Sequence, residues 1–387
     1  MYLPVTRVET TMNVISRRQL LGIGAAGMAV AAGCLGSGAD ADAPPPLDVP
    51  DPYAAPLEDV RFDATPDAGG RPPTADRSIH RDYVRDTLLE EMVSGGVPQD
   101  GIPAIDEPSF VPAADAPGQL EDRSPVFGVV IDGTARAYPQ YILVSHEIVN
   151  DELADIPVAA TYCPLTGTAQ GFYRGETTLG VSGQLINSNL VMFDRAGEGY
   201  WPQMLAVSID GEHAGDHLGE FQMIWTTWLR WRTQYPDTTV LTDDTGFARN
   251  YGRDPYGSYT PLSGYYANHD DILFSPLASD GQFRSKEVVI GARTAQGAFC
   301  VNKEHLRETG LVAGDTGSVD FVTVYDPVLD TGFAYRAGDH DVAYDEGTVS
   351  VDGEDHDPPT LPLDRVIAYD AFWFAWYGYY PSTDVHR

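Results

Sequence analysis

A short aromatic phrase occurs twice in this chain, and that recurrence limits the fold more than any other feature. Trp228-Leu-Arg-Trp231-Arg-Thr-Gln-Tyr235-Pro236-Asp-Thr238 returns as Trp373-Phe-Ala-Trp376-Tyr-Gly-Tyr-Tyr380-Pro381-Ser-Thr383, with five identities at one offset of 145 residues. Upstream, Thr161-Tyr162-Cys163-Pro164-Leu165 matches Val324-Tyr325-Asp326-Pro327-Val328 at an offset of 163, so the first copy carries about 18 extra residues between the two landmarks. Earlier still, the apolar runs Phe127 to Ile131 and Val288 to Gly291 each lead into a small-residue turn and an aromatic. A repeat of this length predicts two copies of one supersecondary unit. We read a first half over 124–241, a Tyr- and Gly-rich connector over 242–285 and a second half over 286–387. Together they should form a single β-rich α+β unit of two pseudo-symmetric halves. Each half is expected to run strand, turn, short strand, helix, strand, turn, strand and a terminal aromatic helix. The residues Trp228, Trp231, Tyr235 and Trp373, Trp376, Tyr380 have i, i+3, i+7 spacing, which makes a core-facing stripe the simpler reading and ligand stacking the other.

Charge narrows the setting. The net charge is −33, and only Lys286 and Lys303 are lysines among 24 basic residues. Short hydrated carboxylates without long-stemmed lysine suit molar salt, where screening shrinks to about 3 Å. Nucleic acid is disfavoured as a partner, because a polyanion needs a basic footprint. A hydrophobic fraction of 43% excludes a wholly disordered chain.

The N-terminal segment reads as an address. Ser16-Arg17-Arg18-Gln19-Leu20-Leu21 resembles a twin-arginine export signal, and the apolar run to Ala32 is too short to span a bilayer, which takes roughly 20 residues. It ends in Ala31-Ala32-Gly33-Cys34, which resembles a lipobox, so Cys34 is the expected lipidation site. Residues 1–34 are thus read as a signal with its anchor, with Met12 as well as Met1 a candidate start. Residues 35–82, rich in Ala, Asp, Pro and Gly, read as an extended tether, and 83–387 as the folded domain, which should open with a short helix near Tyr83 to Val93. The expected location is outside the cytoplasm, on the cell membrane through the lipid.

A duplication offers an internal control, since scaffold persists in both copies while function often survives in one. Leu143, Ile148 and Val149 match Leu306, Leu311 and Val312, whereas His146, Glu147, Asn150, Asp151 and Cys163 have no counterparts. His146 and Asn150 are four apart and would share a helix face. Cys163 would end a strand beside the hydroxyls of Thr166 and Thr168, where free backbone N–H groups lower a thiol's pKa. The candidate catalytic set is therefore Cys163 and His146 with Glu147, Asn150 and Asp151 orienting them. Cys163 and His146 can equally be read as ligands of a soft copper or zinc centre. Other readings stay open: a core histidine, an inert buried thiol, or a Cys163–Cys300 disulfide in an oxidising compartment. Asn187, Asn189, Asp194, Arg195, Trp201 and Gln203 fall in the extra segment of the first half and read as a pocket wall, or as a structural turn with a buried ion pair. His213 and His217 have helical metal-ligand spacing, but Gly211, Gly215 and Gly219 oppose a helix there. Phosphate-cradling, dinucleotide and nucleophile-elbow motifs are missing from the sequence.

The segments Ser94 to Asp106, Ala135 to Pro139, His146 to Asp151, Tyr162 to Ala169, Ser182-Gly183 to Leu190, Asp194-Arg195 and Trp201-Pro202-Gln203 together resemble the domain of unknown function 3179 family, found in bacteria and haloarchaea. The resemblance covers most of 90–387, implies the domain assignment and carries no activity with it. His213 and His217 do not match its pattern. Two function classes follow from the residues: a metal-centre or Cys/His-dependent enzyme outside the cytoplasm, or a non-catalytic cell-surface module binding a small ligand, sugar or peptide.

Overall fold

Val, Ile and Phe dominate the run Pro125–Ile131, and Asp132-Gly133 follows with both residues at positive φ, the pattern of a tight hairpin turn. The chain returns as Thr134–Pro139, and this pair is the centre of a five-stranded sheet in the order Ile224–Thr227, Pro125–Ile131, Thr134–Pro139, Thr239–Leu241, Phe110–Pro112. The structure is a computed structural model and describes residues 72–75, 79–211, 213–317 and 319–387. The expected signal, Cys34 and most of the expected tether lie outside those residues. Near the end of the segment read as a tether, Thr74–Ala75 is a strand, paired antiparallel with His217–Leu218.

Strands dominate, and short helices punctuate them. A four-stranded sheet runs Ala368–Phe372, Val288–Arg293, Ala298–Asn302, Asp384–His386, and its last strand joins parallel to its neighbour, as Thr239–Leu241 does in the first sheet. Two antiparallel sheets also share an order. One is Glu220–Phe221, Thr168–Tyr173, Ile156–Cys163, Ile148–Leu153; the other is Arg365–Val366, Thr331–Arg336, Val319–Asp326, Leu311–Thr316. The segment between Leu179 and Pro202 forms a further sheet with Val93–Ser94.

Both aromatic phrases are helices, Trp228–Gln234 and Trp373–Tyr379. Their second tryptophans are fully buried. A Cβ on Gly128 would lie 2.1 Å from the Trp231 ring, and one on Gly291 would lie 2.3 Å from the Trp376 ring, so glycine is what lets each indole lie on its sheet. Each indole N–H donates to a threonine hydroxyl seven residues on, Trp231 to Thr238 at 2.9 Å and Trp376 to Thr383 at 3.0 Å. These rings serve the core, not a ligand surface.

One expected element is different. The helix expected to carry His146 and Asn150 stops at Leu143, and Ile148–Leu153 is a strand. Four residues of helix, Gln140–Leu143, are followed by a turn, because Ile148 and Val149 are β-branched and pair with Thr161 and Ala160. The second sheet has the same step, with the helix Lys303–Thr309 closed by Gly310 at φ +76 before the strand Leu311–Thr316. The helix expected near Tyr83 to Val93 spans Arg85–Glu90.

The two lysines are internal fasteners. Nζ of Lys286 donates to the carbonyls of Tyr265, Asn268 and Asp271 and sits 3.1 Å from the centroid of the Tyr265 ring. Lys303 is ion-paired with Asp370, both buried.

Candidate functional site

At Glu147 the chain turns with φ +60, where Gly310 holds φ +76 in the other sheet. In both places the carbonyl accepts a hydrogen bond from a tyrosine N–H at 2.8 Å, Tyr162 onto Glu147 and Tyr325 onto Gly310. A side chain in this left-handed region costs about 1–2 kcal/mol that glycine avoids. Glu147 is 8% exposed, and its carboxyl has neither a hydrogen bond nor an ion pair among the described residues. It looks into a cleft of about 350 Å³ walled by Val97, Ile102, Leu165, Leu185, Leu190, Tyr256 and Phe274, in which Glu147 is the only charged residue. Burial alone pushes its pKa up to about 8, so the carboxyl is mostly protonated at neutral pH.

Cys163 ends the strand Ile156–Cys163 and is 1% exposed. Its Sγ points at the carbonyl of Ser188, 3.7 Å away. The expected lowering of its pKa is overturned. Burial, then the neighbouring Glu147, push the thiol up to about 11, and the Thr166 hydroxyl and nearby backbone donors pull the other way without winning. Cys163 and Cys300 are both free and buried, so they form no disulfide in this structure. Alkylation should follow: at pH 7.5 in molar salt, iodoacetamide should label both thiols at least about a hundredfold more slowly in the folded chain than in denaturant. Rapid labelling of Cys163 alone, read by mass spectrometry of peptides, would mean that the thiol is activated after all.

His146 is in the turn, not on a helix, and its ring is fully engaged. Nδ1 lies 2.7 Å from the carbonyl of Pro103 and Nε2 lies 2.6 Å from the hydroxyl of Tyr251. A carbonyl only accepts, so Nδ1 carries the proton and Nε2 accepts from Tyr251. Burial lowers the ring's pKa further. Neither Cys163 nor Glu147 is a partner of this imidazole, so the sequence pairing of Cys163 with His146 gives way to Cys163 beside Glu147. Asn150 and Asp151 face structural tasks. The side chain of Asn150 donates to the carbonyl of Leu179 at 2.8 Å and accepts from its N–H at 2.9 Å. Asp151 is ion-paired with Arg136 at 2.6 Å and accepts from Tyr138 at 2.7 Å.

The expected pocket wall is likewise a set of closed hydrogen bonds. Asn189 donates to Gln203 at 2.9 Å and to Thr166 at 3.1 Å; Thr168 donates to Gln203 at 2.8 Å; Gln203 donates to Thr161 at 2.9 Å. Asn187 occupies a hairpin turn at φ +57 and ties it to the carbonyl of Ala375 at 2.7 Å and the N–H of Leu277 at 3.0 Å. Asp194 and Arg195 do not pair. Asp194 accepts from the Trp201 indole at 2.9 Å and from Gly199, while Arg195 reaches Asp100 and Asp106. Asp194 is the last residue of the strand Asn189–Asp194 and Arg195 begins the turn after it, so the two side chains leave the backbone in different directions. His213 sits in a turn 3.0 Å from Asp216, and His217 in a two-residue strand. Among the described residues, no group of three or more His, Cys, Asp or Glu side chains is placed to hold a metal ion. The centre expected from Cys163 and His146 thus finds no third protein ligand there.

Sequence reasoning named Glu147 only as support for the histidine and passed over Tyr256 and Phe274. The missing signal was available: at the offset of 163, Glu147 falls on Gly310, so a carboxylate stands where the other half uses glycine.

Neither the curated proteins nor the solved structures contain a match to this chain. The family model described as "Protein of unknown function (DUF3179)" does match, over residues 99–383, a span that takes in Cys163, the cleft's Glu147 and Tyr256 and both aromatic helices; the chain belongs to that family.

Proposed function

We propose that this protein binds a small, largely apolar molecule in the Glu147 cleft, outside the cytoplasm. One observation carries the reading: a carboxyl without a protein partner, on a strained backbone, at the wall of an apolar cleft. A largely buried carboxyl whose oxygens meet only the cleft offers a ligand a hydrogen-bond or ion-pair partner that no protein group already occupies. A cleft of about 350 Å³ is within the range of small-molecule sites. A Cys/His nucleophile has less support, because the thiol is protonated at neutral pH and the imidazole is committed elsewhere. A second reading has its own observation: with a pKa near 8, Glu147 is matched to proton transfer at neutral pH, as general acid or base on the bound molecule.

The two halves are, in this proposal, copies of one unit related by pseudo-symmetry. The shared strand orders and the paired Trp–Gly contacts support it. The first copy then keeps the ligand site, and the second keeps the unstrained glycine. In the same proposal the protein sits on the outer face of the cell membrane, held by a lipid on Cys34, in a haloarchaeal, high-salt setting; the resemblance of Ser16 to Cys34 to a twin-arginine lipoprotein signal and the lysine-poor acidic composition support it.

The test uses the whole chain expressed in a halophilic host. Wild type should fractionate with membranes, and Cys34→Ala should appear in the medium; retention of the variant would remove the anchor. Solvent extraction of purified wild type, followed by mass spectrometry, should yield a small organic compound near one per chain. Val97→Trp, which puts a much larger side chain on the cleft wall, should lose it. Equal extracts from the two proteins would end the binding proposal.

A further inference from the structure

The walls of this cleft also say what kind of molecule suits it. We infer that the ligand is a small organic ammonium ion, with its nitrogen against the Glu147 carboxylate and its hydrocarbon among Leu185, Leu190 and Phe274. The inference rests on the binding proposal above and deepens it.

Three features point the same way. Glu147 is the only charged residue of the lining, and no Lys, Arg or His faces the cleft, so an anionic ligand would meet an acid and no countercharge. The titratable groups that feel Glu147 are Cys163 and Tyr256; both are held neutral at pH 7, and neither brings a positive charge that would repel an ammonium ion. Asp254 adds negative potential at Tyr256. The rings of Tyr256 and Phe274 line the space, and aromatic faces attract an organic cation, a contact that strengthens when water is excluded. A neutral hydroxyl or carbonyl compound would satisfy the protonated carboxyl but would leave the aromatic faces without a cation to attract.

Binding such an ion moves a proton. In the empty cleft Glu147 is mostly protonated at pH 7; against an ammonium group it becomes the carboxylate, and the proton leaves to solvent. Cys163 and Tyr256 are both held protonated, so the released proton belongs to Glu147.

Calorimetry on the whole chain in molar potassium chloride decides, with hexylammonium and 1-hexanol as probes of equal chain length. Hexylammonium should bind at least about tenfold more tightly than hexanol and release about one proton at pH 7, read from titrations in buffers of different ionisation enthalpy. In Glu147→Gln the two probes should bind alike with no proton released. Hexanol binding as tightly as hexylammonium to wild type would overturn the ammonium assignment while leaving the cleft a binding site. Failure of both probes to bind wild type would overturn the cleft as well. The wild-type comparison stands without the variant, so a folding defect in Glu147→Gln does not blunt the test.

Discussion

Replacing Glu220 by alanine should lower the stability of the folded domain by about 3–5 kcal/mol. Glu220 lies in the edge strand Glu220–Phe221 and meets Arg293, the last residue of Val288–Arg293, at 2.6 Å. The two side chains are 3% and 2% exposed, so neither can turn to water. Arg293 also donates to the hydroxyl of Tyr369 at 2.9 Å, and Tyr369 donates to the carbonyl of Met204 at 3.0 Å. Removing the carboxylate strands a buried guanidinium without its countercharge. Salt does not rescue it, because screening acts weakly on a buried pair. Urea titrations of wild type and Glu220→Ala at one fixed molar salt concentration give the difference. Pairing Glu220→Leu with Arg293→Met should recover most of the loss, since a buried ion pair is dispensable as a unit but not by halves. A single substitution costing less than about 1 kcal/mol would show that water reaches the pair.

Glu147→Gln should act in the opposite direction, and its effect should depend on pH. The folded carboxyl titrates near 8 against an ordinary 4.5, so folding binds the proton more tightly than the unfolded chain does. Below about pH 4.5 the acid is neutral in both states and the substitution should be nearly silent. Between 4.5 and 8 the unfolded chain ionises while the folded one resists, and wild type loses about 1.4 kcal/mol per pH unit relative to the variant. Above about 8 the gap levels off at a magnitude on the order of 5 kcal/mol. The other carboxylates are common to both proteins and cancel in the comparison. Stability curves of the two proteins that run parallel from pH 4 to 9 would place Glu147 in contact with water or with a partner.

The recurring aromatic phrase was legible because tryptophan and proline are rare enough for it to stand out, and in the structure both occurrences are helices whose second Trp lies over a glycine. The short strands were harder. Leu143, Ile148 and Val149 fit a helical face as well as a helix–turn–strand step, and periodicity alone does not separate them over so few residues. Only the backbone at Glu147 decides, and positive φ in a non-glycine residue leaves no trace in hydropathy. The polar residues that the first half does not share with the second have different tasks in the structure. Asn150, Asp151, Asn187, Asn189, Asp194 and Gln203 hold together the strands that the first half alone possesses or repositions. Glu147 holds nothing. Sequence separates a fastening amide from an idle carboxyl only when the geometry of their partners is known.

The caged lysines have a practical consequence. A protease that cuts only after lysine finds two sites in the entire chain, Lys286 and Lys303, and no site before residue 286. Both are buried, one against three carbonyls and an aromatic ring, the other against Asp370. Cutting by such an enzyme therefore tracks the opening of the framework around Lys286 and Lys303. The intact chain carries its own clock for domain opening, read as the disappearance of one band on a gel at any salt concentration the protease tolerates.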